Sequence, residues 1–117
     1  MKRDMDNFLP LSSASLHILV SLAGEDLHGY GIMQEVKRQS EGKYKIGPGT
    51  LYDNLQKLMD QQLVQQIGRK PGDNDPRRRY YRLTALGRSV LAAEAGRLEN
   101  MLRQARLRLQ TPRRGRA

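Results

Sequence analysis

Residues 43–59 constrain the fold more than any other stretch of the chain. They open with Lys43, Tyr44 and Lys45, pass through the tight turn of Gly47, Pro48 and Gly49, and continue as an amphipathic helix. At roughly 100° per residue, Leu51, Leu55, Leu58 and Met59 share one face. Thr50, Asp53, Asn54, Lys57 and Gln61 fall on the opposite face, with Tyr52 at the boundary. Thr50 is placed to cap the helix or to donate from its first turn. The outer face is short, polar and hydrogen-bonding, with one cation. That is what base-edge reading in a major groove requires: Asn54 for adenine, Thr50 or Lys57 for a base or a phosphate. Asp53 would favour a cytosine amine or simply repel phosphate. An ordinary solvated helix face has the same pattern, so the flanking segments decide between the two readings.

Upstream, Met1–Leu9 reads as a loosely ordered, mixed-charge leader. Ser12 or Ser13 can cap a helix over about 12–23, whose Ala14, Leu16, Ile18, Leu19, Leu22 and Ala23 are apolar over more than one stripe. Such a helix belongs at the centre of the domain. His17 within it reads as a core-edge residue. Residues 24–29 read as a turn. A second helix follows over about 29–40, with Lys37 and Arg38 at its negative end and Gly42 just beyond. Glu25, Asp26 and His28 are too few and too local to fill a metal shell, so His28 is expected to cap or pack at the turn.

Downstream, Leu63–Ile67 is a strand candidate, residues 68–76 form a turn-rich loop, and Arg77–Leu83 returns as a second strand. Alternation places Tyr81 and Leu83 on one face of it and Arg78, Tyr80 and Arg82 on the other. Three helices followed by a basic β-ribbon make the layout of a winged helix, a helix-turn-helix variant of mostly α, part β class. Beside a recognition helix, the arginines suit phosphate or minor-groove contact. The plainer reading of them is a solvated edge that discourages strand pairing.

Thr84 caps a last helix over about 85–109, which at ~1.5 Å per residue spans about 37 Å, more than a small domain can cover. Its apolar stripe, Leu86, Val90, Leu91, Leu98, Met101, Leu102, Ala105 and Leu109, calls for a partner, and the economical partner is the same helix of a second copy. A basic helix lying on a membrane is the alternative, but the stripe lacks interfacial aromatics. Pro112 ends the helix, and Arg113, Arg114 and Arg116 stand in a tail expected to be disordered.

Charge sharpens the choice of partner. Residues 1–60 hold 7 Lys/Arg against 8 Asp/Glu, a net of −1, while residues 61–117 hold 14 against 4, a net of +10. Thirteen of those 14 are Arg, suited to bidentate phosphate and base-edge contacts. The expected partner is double-stranded DNA. A second reading of the basic half is a non-specific protein that coats DNA or binds RNA. With 117 residues the chain is one lean domain. It lacks cysteine, which removes disulfides and thiolate metal sites and fits a reducing cytoplasm. No stretch reaches the ~20 apolar residues that span a bilayer, so no membrane association is expected. With no phosphate loop, no paired-His signature and no Cys nucleophile, neither an enzyme nor a cofactor is expected.

Three segments in order carry a resemblance over about residues 10–105. They are His28-Gly29-Tyr30-Gly31-Ile32, Gly47-Pro48-Gly49-Thr50-Leu51-Tyr52, and Arg79-Tyr80-Tyr81-Arg82-Leu83-Thr84 with Gly87 following. Together they resemble the PadR family of bacterial transcriptional regulators. The resemblance implies a homodimeric winged-helix repressor acting on promoter DNA in the bacterial cytoplasm, at the nucleoid. It implies that Gly47–Tyr52 opens the recognition helix, that Thr50 and Tyr52 contact DNA, and that Arg77, Arg78 and Arg79 form the wing. The single carboxy-terminal helix resembles the smaller members. Many relatives carry a small residue or proline after the Leu-Tyr pair, where this chain has Asp53 and Asn54. Some small members hold flat aromatic compounds with a tryptophan, and this chain has none.

The expected DNA surface is therefore Lys43, Lys45, Thr50, Tyr52, Asn54, Lys57, Arg69, Lys70, Arg77, Arg78 and Arg79. The expected pairing surface is Val90, Leu91, Leu98, Met101, Leu102, Ala105 and Leu109. The domain plan is a winged helix over 1–84, a pairing helix over 85–110 and a basic tail over 111–117. Residues alone name neither the operator nor a releasing small molecule.

Overall fold

The computed structural model describes residues 2–68, 71–75 and 77–112, with side chains described from residue 5 onward. Arg69 and Lys70, both expected on the DNA surface, and most of the basic tail lie outside the described residues. The helices are α1 (Ser13–Gly24), α2 (Gly29–Gln39), α3 (Pro48–Asp60) and α4 (Ala85–Gln110). The strands are β1 (Leu27–His28), β2 (Val64–Ile67) and β3 (Tyr80–Leu83). They form one antiparallel sheet in the order β1-β3-β2. This is a winged helix with a long carboxy-terminal helix, as expected.

Each helix start is explained by its cap. Ser12 accepts from the Ser15 N–H at 3.1 Å, the His28 ring nitrogen Nδ1 from the Gly31 N–H at 3.0 Å, and Thr84 Oγ1 from the Gly87 N–H at 2.9 Å. In α3, Thr50 takes the second of its two expected places, the first turn, and not the cap. The cap is Gly47, without a side-chain bond, and Pro48 opens the helix, its fixed φ and missing N–H suiting the first position. Thr50 stands exposed. α2 and α3 end alike. Glu41 (φ 55°) and Gln62 (φ 64°) adopt the left-handed conformation, and the next N–H reaches back to Lys37 O (2.8 Å) and Leu58 O (2.9 Å). These bonds satisfy carbonyls that a helix end would otherwise leave unpaired.

α1 is the central helix, packed against α2, α3, α4 and β3, with Ile18, Leu19 and Leu22 buried. Leu51, Leu55 and Leu58 of α3 and Ile32 and Val36 of α2 close over it. The α2–α3 turn alternates outward Lys43 and Lys45 with inward Tyr44 and Ile46, and Tyr44 stacks on His17 at 4.2 Å.

Five further expectations are corrected. The leader is ordered as a 3₁₀ helix, Lys2–Phe8, lying on α4. At three residues per turn Met5 and Phe8 fall on one side, and both pack against the core. Residues 27 and 28 form a third strand, pairing Leu27 with Tyr81 and His28 with Tyr80, which is too short for alternation to reveal. β3 is also shorter than expected, so Arg77–Arg79 lie in the loop before it. Tyr80 does not face out with Arg82. β3 is the central strand, and Tyr80 is covered by the His28 ring, edge-on at 5.2 Å, and by Asp73, to which its hydroxyl donates at 2.6 Å.

The fifth correction concerns α4. Val90, expected on the pairing stripe, is fully buried in the chain's own core and offers a partner no surface. Leu91 is half-buried against that core. Glu94 is buried too, accepting from the Leu11 N–H at 3.0 Å and pairing with Arg97 at 2.6 Å. That guanidinium and the amide hold the Glu94 carboxyl below its ordinary pKa against the opposing effect of burial. Gly87 seats the helix: a Cβ there would stand 2.1 Å from the Leu63 carbonyl oxygen. From residue 99 on, the helix is exposed on every side. The radius of gyration, 17.3 Å, exceeds the ~13 Å of a compact chain this long because α4 projects.

Candidate nucleic-acid interface

α3 is held by its leucines so that Gly49, Thr50, Tyr52, Asp53, Gln56, Lys57 and Asp60 remain exposed. Thr50 and Lys57 stand where the helical period placed them, and Lys57 has no ion pair among the described residues. Gln56, absent from the sequence-based surface, is central to the exposed face and donates to Asp60 Oδ1 at 3.0 Å. Its signal was the i, i+4 Gln–Asp spacing, which the wheel in principle displays.

Asn54 is placed differently from expectation. It is half-buried in the seam between α3 and α1. Its amide nitrogen donates to Thr50 O at 2.8 Å, and its Oδ1 accepts from Ser15 Oγ at 3.4 Å. The polar wheel position turned toward α1 because the buried Ser15 supplies a polar neighbour there. Both ends of the amide that would read adenine are thus engaged within the chain.

Tyr52 lies along the start of α2. A Cβ on Gly29 would stand 2.1 Å from its hydroxyl oxygen, so glycine is the residue that allows this approach. Tyr52 is nonetheless 48% exposed, and Tyr30, in the first turn of α2, is 62% exposed. The two rings line one cleft with Arg77, Arg78, Arg79 and buried Tyr81. Burial raises the Tyr81 phenol above its ordinary pKa, and the neighbouring Tyr52 adds to the effect. Tyr30 also borders a second groove with Lys37 and Lys45. The structure therefore brings together Lys45, Tyr52 and Arg77–Arg79 around Tyr30. Lys43 is exposed in the same turn as Lys45.

The wing carries its own counter-charges. Arg77 lies 3.5 Å from Asp75, and Arg78 lies 3.7 Å from Asp73 and 3.9 Å from Asp75. Asp73 also accepts from Tyr80 and from the Asp75 N–H, and Asp75 from the Arg77 N–H at 2.9 Å. The Tyr80 phenol and then the Asp75 amide hold Asp73 below the usual carboxylate range; the Arg77 amide does so for Asp75. The carboxylates thus brace the loop and neutralise part of its charge. The signal available in sequence was the spacing of Asp73 and Asp75 just ahead of the arginines. Arg82, on the far side of β3, forks onto Asp26 at 2.8 Å and ties the sheet to the α1–β1 turn.

On the α4 side, Met101 (55%), Leu102 (50%) and Leu109 (84%) are exposed, as is Ala105, whereas Leu98 is half-buried. Leu107, outside the expected stripe, is exposed as well. Among the described residues no group of His, Asp and Glu is arranged to hold a metal, and no helix is long and apolar enough to cross a membrane.

Comparison with known proteins agrees with this geometry. Residues 18–93 match the transcriptional regulator PadR-like family. The chain is 32% identical over 93 residues to the transcriptional regulator Rv3488 of Mycobacterium tuberculosis, covering 80% of this chain and 82% of that one. A PadR family transcription regulator of Clostridium difficile superposes with a TM-score of 0.71 at 20% identity, over 84% of this chain and 99% of the other. Bacillus subtilis PadR, in its complex with operator DNA, superposes with a TM-score of 0.60 at 23% identity, over 70% of this chain and 46% of that one.

Proposed function

The chain belongs to the PadR family of transcriptional regulators, and on that premise we propose that it is a homodimeric, sequence-specific repressor of transcription. The observation that carries the proposal is the junction of the exposed α3 face with the wing arginines across Tyr52. A helix that presents hydrogen-bonding side chains beside a cationic loop can enter a major groove while the loop holds the flanking backbone. The operator complex of Bacillus subtilis PadR supports the same use of the fold here. Thr50, Gln56 and Lys57 read base edges, with Asp53 excluding phosphate or accepting from a cytosine amine. Lys43, Lys45 and the wing contact phosphates. Asn54 acts at one remove, by fixing α3 against α1.

Pairing through α4 is supported by a strict heptad among its exposed and half-exposed residues. Leu91, Ala95, Leu98, Leu102, Ala105 and Leu109 alternate in steps of four and three. An apolar seam this long, projecting beyond the core, is stabilised by a second copy of itself. Two α3 helices then face successive major grooves, and occupancy excludes polymerase. Release requires a signal that alters the distance or angle between them.

A competition binding experiment tests the proposal. At about 0.15 M salt the protein should prefer a duplex it selects from a random pool over unselected duplex by about 10³ or more. Equal affinity for both would replace the specific regulator with a non-specific DNA-coating protein.

A further inference from the structure

The cleft between the start of α2, the flank of α3 and the foot of the wing has a volume of about 320 Å³. Its cationic groups are not equivalent. Arg77 and Arg78 are paired with Asp75 and Asp73. Arg79 has no ion pair among the described residues, and its Nη1 makes only a long 3.5 Å bond to the Arg77 carbonyl. The phenols are not equivalent either. Tyr81 is buried at the back of the cleft, whereas the Tyr30 and Tyr52 rings stand open at its mouth with no hydrogen bond among the described residues. The mouth therefore offers one uncompensated guanidinium and two phenolic O–H donors. The one carboxylate at its rim, Asp75, is already engaged by the Arg77 amide and by Arg77 and Arg78.

We propose that this cleft seats a single backbone phosphate of duplex DNA, with Arg79 supplying the charge and Tyr30 and Tyr52 donating to the non-bridging oxygens. A phosphodiester oxygen only accepts, and the unengaged groups at the mouth are donors, so the chemistry matches. Arg77 and Arg78 act instead as braces of the wing through Asp73 and Asp75. Tyr30 joins the interface, and the three wing arginines separate into one grip and two struts. The inference rests on the DNA-binding reading and deepens it.

The test uses the full chain and a duplex selected from a random pool, with single methylphosphonates placed in turn along each strand. Arg79→Ala should lower the slope of log K against log salt by about one unit, and Arg77→Ala by less than about half a unit. Tyr30→Phe, which removes only an exposed oxygen, should weaken binding by about three- to tenfold on selected and random duplex alike, because a phosphate carries no sequence information. At one methylphosphonate position per half-site, Arg79→Ala should cost nothing further. Inorganic phosphate at millimolar concentration should not compete. Affinities within twofold of wild type for both Arg79→Ala and Tyr30→Phe, or no position that suppresses the Arg79→Ala effect, would overturn the phosphate seat. Equal wild-type affinity for selected and random duplex would overturn the specific regulator instead, and the Tyr30→Phe and salt-slope arms still decide the cleft on random DNA.

Discussion

Replacing Gly87 with alanine should destabilise the protein by loosening the joint between its long helix α4 and the end of α3. The new Cβ would stand 2.1 Å from the Leu63 carbonyl oxygen, 2.8 Å from Leu83 Cδ1 and 3.0 Å from the Leu63 carbonyl carbon. The leucine tip can swing aside, but the carbonyl belongs to the turn that ends α3. That carbonyl accepts from the Thr84 N–H at 3.1 Å, and the Thr84 hydroxyl donates to Gln62 O at 2.7 Å. Restoring ordinary contact requires α4 to retreat by about 1 Å, stretching both bonds. Overpacking costs about 1–3 kcal/mol, and the weakened bonds add about 1 kcal/mol. The gain of up to about 1 kcal/mol from alanine in a helix offsets part of this. The net is about 1–3 kcal/mol, or roughly 4–12 °C in Tm for a chain this size, using about 2.1 cal/mol/K of unfolding entropy per residue. Thermal melts of the two proteins at equal concentration measure it. A Tm within about 2 °C of wild type would refute the rigid seat. Gly29→Ala is the contrasting control. Its Cβ meets the end of the mobile Tyr52 side chain, so stability should change less while DNA affinity falls.

Three further outcomes follow from the same geometry. Gln62→Gly relieves a left-handed non-glycine residue and should raise Tm by about 2–4 °C, after subtracting the entropy glycine loses on folding; a fall would show that the turn is not strained. Leu102→Glu, on the exposed half of the heptad, should yield a folded monomer by light scattering at ~10 μM, with a lower Tm that no longer rises with protein concentration; a persistent dimer would remove this seam from the interface. The Asp73 carboxyl has a depressed pKa in the fold, so its contribution to the wing is present above its unfolded value of about 3.9 and is lost only as pH falls through the lower folded value. The Tyr80 ring carbon shifts should therefore titrate below about pH 3.9, and a midpoint at the ordinary aspartate value would contradict the Tyr80–Asp73 bond.

Helices were legible wherever a cap preceded a periodic run, as at Ser12 and Thr84, because both signals are local. The α3 face was legible except at Gln56, which the wheel displays there, and at Asn54. The wheel angle of Asn54 lies at the edge of the polar arc, and only the buried Ser15 of another helix decides which way the amide turns. Pairing between distant short segments was not legible. Two residues of β1 carry no alternation, and the burial of Tyr80 depends on that strand and on Asp73. The α4 stripe shows a different limit. One apolar stripe serves the chain's own core at Val90 and projects from it at Leu102 and Leu109, and hydropathy alone does not distinguish the two. Likewise the arginine run announced positive charge, but only the folded loop shows which cations Asp73 and Asp75 already engage.

Hydroxyl-radical footprinting of the full-length protein on its selected duplex tests the central claim most directly. A dimer that presents α3 twice should protect two equivalent patches with centres about 34–36 Å apart, or a whole multiple of that spacing, related by a two-fold axis in the sequence. A single patch, or even protection without a boundary, would contradict it.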